Sequence, residues 1–197
     1  RAICDAVKKH QRVLQCGTWR RSGMKVRMAC ELVRNGYIGE LKEIEVGVPG
    51  TFAVRGGFTG LEGPEPVPAH LDYAMWMGST PERPYTAARC HFNFRWIDEY
   101  APGYITDWGA HHIDIAQWGL GMDESGPVEV RSAGPDKKRG AQLVYANGVV
   151  LTHGEGKGVS FYGTDGEVHV NRGKFELWLG GKKVHGFMDK EKDKGTS

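Results

Sequence analysis

Apolar and polar positions along the 197-residue chain change period several times, and each change marks an element. Ile3, Ala6 and Val7 share one side of a helix over residues 2–9, with Lys8 and Lys9 in its last turn, where cations suit the helix dipole. The short apolar run VLQCGT (13–18) predicts a buried strand that opens into the loop WRRSG. Met28, Leu32 and Val33 recur at helical spacing between Met24 and Asn35, and Asn35-Gly36 supplies a stop. LKEIEVGV (41–48) then alternates as a half-buried strand.

Residues 49–90 hold most of the prolines and many glycines, which predicts a long ordered loop or a set of short turns. RCHFNFRWI (89–97) alternates Cys90, Phe92, Phe94 and Trp96 against His91, Asn93 and Arg95, the pattern of a strand with one apolar face. TDWGAHHIDIAQWGLG (106–121) reads as a helix with Thr106 as N-cap and glycines near its end. From Val128 to Leu179, six short segments separated by NG, DG and RG turns predict an antiparallel meander. The fold class is therefore α+β, an open and mainly antiparallel sheet with helices on one face. The opening helix and strand read as the last unit of an α/β sheet, and the residues after His185 as a charged, solvated tail.

Composition narrows the partners. A formal charge of +2, with the basic residues scattered, gives no nucleic-acid footprint. No window is apolar enough for a membrane helix, and RAICDAVKKH has no signal-peptide core. Four cysteines (Cys4, Cys16, Cys30, Cys90) form no CxxC pair, which suits free thiols in the cytoplasm better than a disulfide framework.

The chemistry concentrates in the helix at 106–121. At ~100° per residue, Asp107, His111, Asp114 and Trp118 fall in one sector, Gly109, Ile113, Ala116 and Leu120 lie opposite as the core face, and His112 is on a flank. An Asp four residues before a His can orient the ring and make it a general base near neutral pH. The same pattern also arises when an acid simply compensates the dipole and a histidine faces water. A metal site using His91, His111, His112, His153, Asp107 or Asp114 is disfavoured, because adjacent histidines point ~100° apart on a helix. Residues 73–118 carry ten of the twenty aromatics. Phe92, Phe94 and Trp96 suit core packing, whereas Trp76, Tyr85, Tyr100 and Tyr104, in loops, suit a pocket for the CH-rich faces of sugars. Arg20 and Arg21 follow a strand end, where open sheets gather ligands. No GxGxxG or Walker sequence is present.

The stretches QCGTWRRSG, ELVRNGYIGELKEIEV, PVPAHLDYAMWMG, RPYTAARCHFNFRW and GYITDWGAHHIDIAQWGLGMDESGPVEV resemble the Gfo/Idh/MocA oxidoreductases, in their sugar- and polyol-acting branch. The core of the resemblance is Asp107, Gly109, His111 and Asp114 in an Asp-x-Gly-x-His-x-x-Asp pattern after the Asn-Gly-x-Ile-Gly turn at 35–39. It implies three segments: 1–22 as a remnant of a dinucleotide-binding domain, 23–181 as the α+β substrate and oligomerisation domain, and 182–197 as tail. It also implies His111 as general acid/base for a substrate hydroxyl, with Asp107 as its substrate-binding partner. Together with the aromatic candidates, the expected substrate set is Asp114, His112, Arg95, Tyr104, Trp108 and Trp76, with Trp19 and Arg21 at the cofactor end. NAD or NADP is the cofactor of full-length relatives, but this chain has neither the nucleotide loop nor the family's Glu-Lys-Pro lysine and is expected to bind none alone. A small sugar or polyol and a second copy of the chain, meeting through the open sheet, are the expected partners. Two other readings remain: a hydrolase or lyase, with or without a metal, using the Asp107/His111 face, and a non-catalytic carbohydrate-binding or oligomerisation module.

Overall fold

The computed structural model describes residues 2–48, 63–97, 99–101, 103–133, 140–154 and 158–187. Its helices are α1 (Ala2–Lys9), α2 (Met24–Arg34), α3 (Tyr73–Met77) and α4 (Trp108–Leu120). Eight strands make one sheet: β1 (Leu41–Gly47), β2 (Glu129–Arg131), β3 (Gln142–Val144), β4 (Val150–Gly154), β5 (Gly158–Gly163), β6 (Gly166–Asn171), β7 (Lys174–Leu179) and β8 (Lys182–Lys183). Their spatial order is β2-β3-β4-β1-β5-β6-β7-β8, and only the β1/β4 pair is parallel.

Alternation along the strands decides which face is covered. Ile44 and Val46 of β1, Val159 and Phe161 of β5, Val168 and Val170 of β6 and Leu177 of β7 are buried. Glu43 lies outside the core, and Glu45, His169 and Glu176 are only partly covered. Val26, Ala29, Cys30, Leu32 and Val33 of α2 and Ile115 and Ala116 of α4 close the core from the same side. The Cys30 thiol donates to the Ile115 carbonyl at 3.6 Å, and burial pushes that thiol up to about 12. Gly119 sits where α4 crosses β5 so closely that a Cβ there would meet the Phe161 ring at 2.5 Å.

The α+β architecture, both longer helices and β1 agree with the sequence pattern, and all six expected strands of the last third form. The meander is nevertheless split. β1 enters between β4 and β5, because its fully buried Ile44 and Val46 need neighbours on both edges and a cover of helices.

Two expected strands are absent among the described residues. Residues 13–18 form no strand and 13–17 are exposed, with Val13 98% and Leu14 59% accessible, since no described strand lies beside them to take their backbone groups. Residues 89–97 fold into turns and a 3-10 helix at Asn93–Trp96. His91 has φ 53°, and Asn93 is buried, its side-chain N–H donating to the Ala88 carbonyl at 3.0 Å. Cys90 and Asn93, three residues apart, are thus both buried, against the one-faced alternation expected of this segment. In the preceding loop, α3 starts at Asp72, whose carboxylate accepts the Met75 N–H at 3.0 Å, and it joins Tyr85 and Cys90 in a second small cluster. Residues 49–62 of the loop and 188–197 of the tail lie outside the described residues.

Because Phe161 is fully buried, its ring has nowhere to retreat. Gly119→Ala should therefore lower stability by about 1–3 kcal/mol. Urea unfolding would measure this, and an unchanged midpoint would refute the close crossing.

Candidate functional site

The site is built on the first two turns of α4. A 3-10 turn at Gly103–Ile105 leads into it, and the Thr106 hydroxyl donates back to the Gly103 carbonyl at 2.9 Å. The N-cap is thus Asp107 rather than Thr106, and the Asp107 carboxylate makes no capping bond. Arg95 Nε instead approaches Asp107 Oδ1 at 3.4 Å. Arg95 is itself anchored, since Nη1 donates to the Phe92 carbonyl at 2.9 Å and the guanidinium lies 4.5 Å over the Phe92 ring. One turn further, the partly exposed His111 meets the edge of Trp19, ring centres 6.2 Å apart. The structure therefore brings Asp107, Arg95, His111 and Trp19 to one end of one helix.

The core face of α4 is rotated from the expected one. Gly109, His112, Ile115, Ala116 and Gly119 are buried, whereas Ile113 and Leu120 are only partly so. His112 is 2% exposed instead of lying on a flank. Its Nδ1 is 2.7 Å from the Gly47 carbonyl, which can only accept, so Nδ1 carries the proton and donates. Burial holds this imidazole below its ordinary pKa, against the Gly47 hydrogen bond, and the charges of Arg172, His111 and Arg20 add to the depression. The two adjacent histidines thus have separate places: His111 at the open end and His112 neutral in the wall.

Arg21 and Asp114, expected at the cofactor and the substrate, are bound to one another. Arg21 Nη2 donates to Asp114 Oδ1 at 2.7 Å and to Asp123 Oδ1 at 2.8 Å, while Nε lies 3.0 and 3.1 Å from the two Asp114 oxygens. These hydrogen bonds raise the Arg21 pKa. The guanidinium is spent on holding the Trp19–Ser22 3-10 turn against α4.

The aromatic candidates divide. Trp108 touches His112 at 5.7 Å between centres, and Tyr104 packs on Trp96 at 4.6 Å beside the site. Trp76 instead stacks on Tyr73 at 5.6 Å and meets Tyr100 at 5.1 Å, in the second cluster. Arg172, in the β6–β7 turn, lies 3.4 Å over the Trp108 ring. Nothing in its RG-turn context marked it, because strand order alone brings that turn to α4. Among the described residues no three of His, Cys, Asp and Glu converge as metal ligands, and no helix is long and apolar enough to cross a membrane. What this arrangement can do is exchange a proton through His111 and hydrogen-bond hydroxyl groups through Asp107.

Residues 22–171 match the model of an oxidoreductase family's C-terminal alpha/beta domain. A search of curated proteins finds no match. Among solved structures, the chain is similar to an aldose-aldose oxidoreductase from Caulobacter crescentus complexed with glycerol (17% identity, TM-score 0.59, covering 93% of this chain and 50% of that one). It is also similar to the WlbA dehydrogenase from Bordetella pertussis in complex with NADH and UDP-GlcNAcA (15%, 0.55, 90% and 50%). A third is an inositol dehydrogenase homolog from Azotobacter vinelandii complexed with NADH and myo-inositol (10%, 0.53, 92% and 44%). The chain spans about half the length of these structures.

Two outcomes follow for stability. Asp114→Ala should cost about 1–2 kcal/mol in urea unfolding, since it strips the main partner from a partly buried guanidinium. A neutral result would contradict that role. Because the His112 pKa is depressed in the folded state, its stabilisation is complete above the unfolded value and fades as pH falls below about 6.5. Comparing unfolding at pH 7.5 and 5.5, His112→Asn should lessen the acid loss. An identical loss in both proteins would refute the assignment.

Proposed function

The chain belongs to the Gfo/Idh/MocA oxidoreductases through their C-terminal alpha/beta domain, and from that premise we propose that it forms the substrate side of a sugar or polyol dehydrogenase site. The observation that carries this reading is the pairing on α4: Asp107 engaged by Arg95, and His111 one turn on against Trp19. The glycerol, UDP-GlcNAcA and myo-inositol in the similar structures support the substrate class.

In this reading His111 is the general acid/base for a substrate hydroxyl. Its partly exposed imidazole accepts the hydroxyl proton as a carbonyl forms and returns it in the reverse direction. Asp107 accepts a hydrogen bond from the substrate, and Arg95 aims the carboxylate. Trp19, Trp108 and Tyr104 offer ring surface to the sugar's C–H bonds. Asp114 is a positioning residue, acting through Arg21 to hold Trp19 near His111. His112 shapes the wall.

Oxidising a carbinol also needs an acceptor for its hydride. NADH in two of the similar structures supports NAD(P) in full-length relatives. The residues described here do not fit a dinucleotide: the sequence has no nucleotide-cradling glycine loop, and the Arg21 guanidinium is occupied by Asp114 and Asp123. The family match over residues 22–171 supports a boundary near residue 22, with 23–181 as the substrate domain. The face of the sheet opposite α2 and α4, carrying Tyr162 and Trp178, is proposed as the homo-oligomer contact, and four unpaired cysteines suit a cytoplasmic setting.

Titrating myo-inositol and D-glucose against tryptophan fluorescence tests the reading. Asp107→Asn and His111→Ala should each weaken binding by about tenfold, the loss of one strong hydrogen bond. Unchanged affinities in both variants, or tight saturable binding of NADH by the unaltered chain, would overturn it.

A further inference from the structure

A cavity of about 550 Å³ opens between the Trp19–Ser22 turn, the start of α2, the middle of α4 and the β6–β7 turn. Trp19, Val26 and Ile115 give it apolar walls, and Arg20, Lys25 and Arg172 bring three cations to its lining. No Asp or Glu lines it among the described residues. Among the described residues none of the three cations forms an ion pair, in contrast to Arg21 beside them.

The way these cations are held is informative. Arg20 lies 3.7 Å over the Trp19 ring and Arg172 lies 3.4 Å over Trp108. A ring face holds a guanidinium without using its in-plane donors. Arg20 Nε is in fact buried with no hydrogen-bond partner. Lys25 Nζ spends one donor on the Gly173 carbonyl at 2.8 Å and has two more. Arg172 does feel the charge of Asp107, but Asp107 is already engaged by Arg95. Burial and the charge of Arg172 both work against the ionised form of Arg20. Gathering like charges around an apolar hollow with no counter-charge is unfavourable for the protein alone, and an anion entering the hollow reverses that.

We propose that this cavity is a subsite for the anionic group, carboxylate or phosphate ester, of a sugar-acid or sugar-phosphate substrate. The inference rests on the substrate-site reading above, because Trp19 both lines the cavity and meets His111, and it deepens that reading by naming the substrate class. The sugar ring then spans from Asp107 and His111, which handle hydroxyls, to Arg20 and Arg172, which hold the anion. A neutral sugar leaves the guanidiniums uncompensated.

The test uses tryptophan fluorescence of the whole chain with D-glucuronate, D-glucose 6-phosphate, D-glucose and NADH as probes. At least one anionic sugar should bind about tenfold or more tighter than D-glucose, since charge-assisted hydrogen bonds replace none. That preference should shrink with added salt, collapse in Arg20→Gln and Arg172→Gln, and persist in part in Arg172→Lys. Equal affinity for the three sugars overturns the proposal, as does a preference that survives both glutamine variants. Quenching by NADH that requires Arg20 and Arg172, while the sugars are indifferent to them, also overturns it by placing the anion on the cofactor. The salt dependence is measured on the unaltered chain, so the result stands if a variant fails to fold. The ratio of anionic to neutral sugar reads the subsite alone. Asp107→Asn reads the hydroxyl end, so the two readings fail separately.

Discussion

Arg21 reaches across 93 residues of sequence to grip both oxygens of Asp114, and with the same terminal nitrogen holds Asp123 beyond the end of α4. Both groups are partly buried, so the pair is screened less than a surface ion pair and its planar fork fixes an orientation as well as a distance. The short 3-10 turn that carries Arg21 has no buried residue of its own and is held against α4 by this contact. Trp19 is delivered to His111 by that turn, and Arg20 is delivered to the cavity. The local site is thus an ion pair first and a set of reactive side chains second.

α4 serves as the meeting line between core and site. Gly119 lets the helix lie close on Phe161, and Ile115 and Ala116 fill the space against α2. The proximity that makes this end of the domain stable also forces His112 inward, where it loses its charge and becomes a wall. His111, rotated ~100° from it, stays in contact with solvent. Two identical neighbours in sequence therefore have different surroundings, one buried in the wall and one partly open to solvent. The division follows from helix geometry and depth, with no difference in residue chemistry.

Much of the fold was legible because it rests on repeating patterns. The α2 stripe, the alternation of β1 and the turn-punctuated strands from Val128 onward each repeat a period that only one element satisfies. The Asp107–His111 spacing was equally readable. Reading failed where period and environment parted. Residues 89–97 alternate like a strand, yet a left-handed His91 and a buried Asn93 make them turns. Residues 13–18 look like a core strand, yet no neighbour among the described residues covers them. Trp76, expected in a loop, lies in α3 and packs on Tyr73 and Tyr100, a neighbourhood that no local pattern encodes.

By itself, the sequence determined the longer helices, the sheet strands, the family and the helix that carries Asp107 and His111, since all of these depend on local spacing and on residues close in the chain. Tertiary structure alone decided where β1 sits, which histidine is buried, and that Arg21 is neutralised while Arg20 beside it is not. It also decided that Arg172, from the β6–β7 turn, completes a cationic hollow. Charge and burial at these positions are set by partners tens of residues away, and no local pattern encodes which carboxylate will arrive or fail to arrive.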